Sequence, residues 1–324
     1  MRSRGLRPGR LVATALGIAL AVVVIAVSHP DRIWTSLQQV DPGPLLWALA
    51  LNVPIVLLRA YRAQVYIAAL KFPVPMRSMI PIQLVGQTSS SLTPAASGDY
   101  VRAYLWRSSN GVPVRVGAAV VTFERVYSLG MLAAVSLLLI LLPRHGVIGW
   151  AGVAVGLAAA TLSPIFVELL PPSLERWAMA KVLRGPLGRF AEGAQVMLEQ
   201  IRLLMRSPFV LAWTSFLTLI IFVCGGVQVW LVLDALGHIV PVTQAVAGST
   251  TSQVAGIIST LPFGIGSQDA ILVTVFAGYG VTVALAATVA VLVRATSTVP
   301  QALAGLVAYL LVEKPDRRPV MEVE

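Results

Sequence analysis

Six stretches of this chain, at about 11–27, 45–70, 116–142, 147–170, 209–233 and 282–312, stay apolar for long enough to cross the roughly 30 Å hydrocarbon core of a bilayer as helices. Only 12% of the residues are charged, against about 25% in soluble domains, and 57% are hydrophobic. The mean hydropathy is +0.82. These values describe an all-α polytopic membrane protein, read here as one membrane domain over 1–324. The first run, preceded by Arg2, Arg4, Arg7 and Arg10 and followed by Ala26-Val27-Ser28, has features of a signal peptide. Its 17 apolar residues exceed the usual length for one, so it is counted as a span.

A net charge of +10 in a soluble protein would point to nucleic acid. Here the basic residues cluster beside the apolar runs, where they set orientation, and no nucleic-acid partner is expected. With a cytoplasmic N-terminus, 18 of the 24 Lys and Arg fall on the inner side, in 1–10, 71–115, 176–206 and 314–318. Only Arg32 and Arg144 fall opposite, while Arg59, Arg62, Arg125 and Arg294 lie within spans. Both termini, including the tail 313–324, are thus expected in the cytoplasm of a cell with this protein in its inner or plasma membrane.

The chain also repeats itself. Gln64-Val65-Tyr66 returns as Gln228-Val229-Trp230, Val74-Pro75 as Val240-Pro241, and Ser91-Leu92-Thr93-Pro94 as Ser259-Thr260-Leu261-Pro262. Asp99 then answers to Asp269, Gly111-Val112 to Gly280-Val281, and Arg125 to Arg294. Pro, Gly, Asp and Arg are scarce in lipid-facing sequence, so their shared order argues for one unit used twice, over 45–142 and 209–312. Each copy reads span, polar broken segment, span. With the charge assignment above, the copies enter the membrane from opposite sides, giving an inverted repeat like those of secondary transporters, whose discontinuous helices build a midplane site.

The broken segments, 76–107 and 242–278, contain Gln83 to Ser91 and Gly248 to Gln253, too polar and short to face lipid as spans. Each runs into proline and glycine, Pro94 and Gly98 in the first, Pro262, Gly264 and Gly266 in the second. A helix should stop and reverse there, giving two re-entrant hairpins. Backbone freed at a break inside the membrane must be covered by protein or line a wet cavity. An ordinary aqueous loop is the competing reading. Between the copies, in the connector 171–207, apolar residues from Phe190 to Met205 recur at steps of three and four, the pattern of an amphipathic helix lying on the cytoplasmic surface.

Each hairpin acid has a base on the following span, Asp99 with Arg125 and Asp269 with Arg294. Buried membrane charge costs roughly 2.5–3.5 kcal/mol or more, so such groups pair or face water. Two roles stay open for them: a structural acid–base clamp, or a site in which the arginines and half-helix N-termini hold an anionic head group. Glu124 points about 100° away from its neighbour Arg125 and needs another cation. Arg59 and Arg62 share one helical face, and either can serve Glu124, reach lipid phosphate, or line the cavity. The candidate substrate-binding set is therefore Arg59, Asp99, Glu124, Arg125, Asp269 and Arg294.

No catalytic constellation emerges. His29, His145 and His238 are isolated, no helix carries paired metal-ligand spacing, and no Walker-type loop occurs, so neither metal nor cofactor is expected. The glycine-rich Leu261 to Gly266 lacks a preceding strand and a nucleotide-binding unit. The single cysteine, Cys224, cannot form an internal disulfide.

The ordered motifs Gly98-Asp99-Tyr100-Val101-Arg102, Thr122-Phe123-Glu124-Arg125, Leu261-Pro262-Phe263-Gly264-Ile265-Gly266-Ser267-Gln268-Asp269 and Arg294 resemble the transmembrane region of lysylphosphatidylglycerol synthases, the flippase-like domain family. The resemblance spans about 10–312 and implies an inner-membrane protein that moves aminoacylated or glycosylated lipids between leaflets. Family members often carry glutamate where this chain has Asp99 and Asp269. The soluble aminoacyl-transferase domain of full-length synthases has no room in the twelve residues after the last run, so lysyl transfer is not expected.

The leading expectation is a lipid translocator acting on an anionic head group. A membrane enzyme or accessory subunit for polyprenyl-phosphate or glycan lipids is the alternative, with Asp99 as general base. A scaffold for a separately encoded lipid-modifying enzyme is the third.

Overall fold

The structure, a computed structural model, describes residues 40–145, 191–259, 261 and 264–311. The apolar runs at 11–27 and 147–170, the connector up to residue 190, Pro262 and the tail 313–324 lie outside the described residues.

Every regular element among the described residues is helical. Helix α1 (Pro42–Ala50) starts at Asp41, whose carboxylate accepts the Gly43 N–H at 2.8 Å, and its first residue is a proline pre-set for helix entry. After Leu51 it continues as α2 (Asn52–Ala69). Together they form one rod of 28 residues that is long and apolar enough to cross a membrane. Three further rods meet the same test: residues 114–141 of α5 (Val114–His145), α7 (Pro208–Ala235), and residues 283–310, made of α10 (Val283–Val293), a π-helical turn (Arg294–Thr298) and α11 (Val299–Leu311). Four of the six apolar runs are therefore transmembrane-length helices.

Between α2 and α5 lie α3 (Met76–Leu92), a 3-10 turn (Pro94–Tyr100) and α4 (Val101–Asn110). Between α7 and α10 lie α8 (Val242–Ile258) and α9 (Ser267–Gly278). Both broken segments thus stop and restart where proline and glycine were expected to interrupt them. Helices α3 and α8 are each 17 residues long, about 26 Å of helix. Each begins after a capping proline, Pro75 or Pro241. The valine carbonyl just before that proline is satisfied from the preceding rod in both cases: Gln64 Nε2 donates to Val74 O at 2.7 Å and Trp230 Nε1 to Val240 O at 3.0 Å. The returning helices end alike, at Gly111 with φ +72° and Gly280 with φ +86°, a conformation glycine adopts without a Cβ clash. The two halves share an order of elements and the chemistry of their joints.

They are also interleaved. Helix α3 of the first half packs along α11 of the second, and α8 of the second packs along α5 of the first. The α3–α11 crossing is close because Gly305 has no side chain: a Cβ there would lie 1.9 Å from Thr88 Oγ1 and 2.6 Å from the Leu84 carbonyl. One apolar core surrounds Tyr66, Phe123 and Tyr127, where Phe123 meets Tyr66 edge-on at 5.4 Å and stacks on Tyr127 at 5.5 Å. The other surrounds Val232, Leu233, Phe276 and Val289. Helix α6 (Ala191–Met205), the described part of the connector, packs on α5 and places Leu204 and Met205 in the first core while Glu199 and Arg202 stay exposed. This is the amphipathic division its sequence period anticipated.

Candidate functional site

Charge is concentrated where the broken helices meet the rods. In the first half, Asp99 at the end of the 3-10 turn faces Arg102 one turn on, with Arg102 Nε 2.7 Å from Asp99 Oδ1 and Nη2 2.9 Å from Oδ2. Arg125 on α5 donates from Nε to Asp99 Oδ2 at 3.0 Å and from Nη2 to Ser90 Oγ at 2.7 Å. Arg102 reaches onward to Glu124 Oε2 at 2.9 Å and donates to Gln83 Oε1 at 2.6 Å. Arg62 on α2 completes the chain, donating to Glu124 Oε1 at 2.6 Å and to Thr218 Oγ1 on α7 at 2.7 Å.

The result is a ladder of alternating sign, Arg62, Glu124, Arg102, Asp99, Arg125. Four of its members are under 9% exposed; Arg125 is the more open one. Each carboxylate sits between two guanidinium groups, which is how ions are kept in a low-dielectric interior. Arg102 has room because residue 86 is glycine: a Cβ there would stand 2.3 Å from Arg102 Cγ. Its guanidinium also lies 5.4 Å from the ring centre of buried Trp106. The break itself is tied by Gly98, whose N–H donates to Thr93 Oγ1 at 2.6 Å and whose missing Cβ would lie 2.2 Å from the Ser89 carbonyl.

The second half is simpler. Arg294 grips Asp269 with two hydrogen bonds of 2.8 Å, from Nε to Oδ1 and from Nη2 to Oδ2. Asp269 lies in the first turn of α9 and also accepts the N–H of Gly266 at 2.9 Å, so it caps the helix as it binds the arginine. Gly264 and Gly266, with φ of +60° and +83°, make this reversal. Arg294 opens the π-helical turn, whose Thr296 carbonyl accepts Nδ2 of Asn52 from the α1–α2 joint at 2.7 Å. Asn52 Oδ1 in turn accepts from Gln301, and Gln301 pairs with Gln87 of α3.

Register places Gly226, Leu272 and Val293 of the second half opposite Arg62, Arg102 and Glu124 of the first. The acid–base pair is common to both halves; the three extra charges belong to the first alone.

A cavity of about 330 Å³ lies between the halves. Its wall takes Arg59 from α2; Gln87, Ser90 and Ser91 from α3; Ser249, Ser252 and Gln253 from α8; and Gly264, Gln268, Asp269, Arg294, Ser297 and Gln301 from the second broken segment and last rod. Of the candidate residues, Arg59, Asp269 and Arg294 line it. Asp99, Glu124 and Arg125 are not among its lining residues, and Arg125 bonds the lining residue Ser90. Gly98 lies behind the wall. Arg59 lines the cavity, while the ion pairs of Glu124 are made with Arg62 and Arg102. Among the described residues no cluster of His, Cys, Asp or Glu has the makings of a metal site.

Sequence reasoning gave no site role to Arg102, counting it with the inner-side basic residues that set orientation, whereas it is 1% exposed. The i, i+3 spacing from Asp99 was the available signal. Gln268 stood in the motif ending at Asp269 but was given no role there, and Gln301 carried no signal, since a lone amide in an apolar run reads equally as helix surface.

A family model described as the lysylphosphatidylglycerol synthase TM region matches residues 14–305. A UPF0104 membrane protein of Methanothermobacter thermautotrophicus is 23% identical over 309 residues, covering 88% of this chain and 90% of the relative.

Proposed function

Because the chain belongs to the lysylphosphatidylglycerol synthase transmembrane-region family, we propose that this multi-pass membrane protein is a lipid translocator, passing an anionic head group between leaflets through the cavity between its halves. The observation that carries this reading is the composition of the cavity wall. Hydroxyls, amides, a carboxylate and two guanidinium groups converge from both halves, inside a bundle of rods otherwise apolar enough to lie in lipid. A head group finds polar partners there while its tails remain in hydrocarbon. Two halves of opposite orientation, each with its own acid–base pair, would allow one to rock against the other and open the cavity to either side. Asp269 balances Arg294 when the site is empty, and the ladder around Asp99 braces the opposite wall through Ser90.

Reconstituted vesicles carrying a head-group-labelled lipid, with label in the outer leaflet destroyed by a membrane-impermeant reductant, provide the test. The parent protein should expose inner-leaflet label to the reductant, and Arg294→Ala and Arg125→Ala should not, while both variants remain recoverable as folded protein. Equal rates for the parent and both variants would remove the assignment. Lipid recovered after crossing should have unchanged mass, which separates translocation from chemistry on the lipid.

A further inference from the structure

The charges in the cavity wall are unequal, and the inequality bears on what fits. The wall holds two guanidinium groups, Arg59 and Arg294, and one carboxylate, Asp269. Both oxygens of Asp269 are engaged, Oδ1 by Arg294 and Oδ2 by Arg294 and the Gly266 N–H. Arg59 is half-buried and, among the described residues, makes no ion pair or hydrogen bond. Glu124, the acid its sequence position made available, is held by Arg62 and Arg102. Arg59 stands ten residues before the end of α2, about 15 Å of helix. Glu124 and Asp99 attract it from beyond ion-pair distance, and because an arginine keeps its charge, an external anion would give it the direct partner it lacks among the described residues.

Two amides in the same cavity wall also hold unused hydrogen-bonding groups. Gln87 uses its NH2 group on Gln301, leaving its buried Oε1 without a donor. Gln268 makes no side-chain hydrogen bond among the described residues and rests against Gly256 and Gly264, where added Cβ atoms would come within 3.2 and 3.0 Å of its Oε1. A buried acceptor left unmet costs free energy that a ligand hydroxyl would recover.

We infer that the cavity is selective for a head group with one phosphodiester charge and free hydroxyls, the phosphate on Arg59 and the hydroxyls on Gln87 and Gln268, and that it disfavours an aminoacylated head group. An added ammonium would enter the cavity with Arg59, where no spare carboxylate stands among the described wall residues to receive it. The inference rests on the reading that the cavity takes a lipid head group, and it concerns which one.

Full-length protein in neutral detergent is titrated with phosphatidylglycerol, lysyl-phosphatidylglycerol, a neutral diglucosyl diacylglycerol and inorganic phosphate, with bound lipid counted by native mass spectrometry and phosphate tested as a competitor. Phosphatidylglycerol should bind more tightly than its lysyl ester. Arg59→Gln should weaken phosphatidylglycerol about tenfold or more, as expected for losing one charge-assisted contact, while Arg59→Lys keeps most of it. The neutral glycolipid should bind parent and Arg59→Gln alike, which shows the variant folded. Tighter binding of the lysyl ester, or phosphatidylglycerol binding indifferent to Arg59→Gln, overturns the inference. Inorganic phosphate competing as strongly as the lipid also overturns it, by making the ligand a soluble anion. Vesicle assays separate this from the wider reading. If Gly225→Trp, which fills the cavity, stops translocation and Arg59→Gln leaves lipid choice unchanged, the translocator stands and the inference falls; Arg59-dependent binding without crossing gives the reverse.

Discussion

Arg294 meets Asp269 through two parallel hydrogen bonds across 25 residues of sequence, whereas its counterpart Arg125 reaches Asp99 with Nε at 3.0 Å and turns Nη2 to Ser90. The difference follows from Arg102, which already spans both oxygens of Asp99. The second pair is a bidentate clamp in the cavity wall. The first is one end of a five-member ladder behind it.

Glu124 is the keystone of that ladder, 5% exposed between two arginines. Glu124→Gln leaves both without their shared anion and should destabilise the protein by about 3–5 kcal/mol, the usual consequence of breaking a buried pair. The check is the thermal midpoint for loss of the monodisperse species in detergent. Glu124→Asp, which keeps the charge but shortens the reach, should fall between; a midpoint for Glu124→Gln equal to the parent's would contradict the ladder.

Gly86 and Gly130 separate a packing glycine from an incidental one. At Gly86 a Cβ collides with the stem of Arg102, while at Gly130 nothing lies within 4 Å. Gly86→Ala should therefore displace Arg102 and lower the midpoint by several degrees. Gly130→Ala, in the middle of α5, should be neutral or stabilising by up to about 1 kcal/mol.

Gly266 holds φ +83° and ψ −54°, close to the strained γ-turn region. Gly266→Ala should cost roughly 1–3 kcal/mol and shift Asp269 in the cavity wall. Activity should fall further than folding does. Gly111→Ala, at φ +72° with open space around it and away from the cavity, should lower stability without a separate loss of transport.

Water access to the cavity can be read with thiols, because Cys224 is the single cysteine. In a Cys224→Ser background, Ser91→Cys and Gln268→Cys should react with a charged, membrane-impermeant thiol reagent. Leu217→Cys, at a site 3% exposed in α7, should not. Labelling of Leu217→Cys at the rate of the other two would mean that the cavity is no preferred water path.

The helical class, four of the rods and the positions of both breaks were legible in the sequence, because they depend on local properties. Continuous apolar length makes a rod, and proline followed by glycine ends a helix wherever it occurs. The Asp269–Arg294 pairing was legible too, since Asp99 and Arg125 repeat it at nearly the same spacing, 26 residues against 25. What tertiary structure alone decided was how the remaining charges are shared. Glu124 had Arg59 and Arg62 on one helical face to choose from, and the approach of α2 to α5 gave it Arg62 and turned Arg59 into the cavity. Arg102 was counted only with the basic residues that set orientation, and the structure buries it between two acids in space that Gly86 leaves open. Ion pairing acts through space over a few ångströms and not along the chain, so the membership of a buried charge network is set by how helices pack, and that packing decided which of the two candidate arginines, Arg59 or Arg62, was left over.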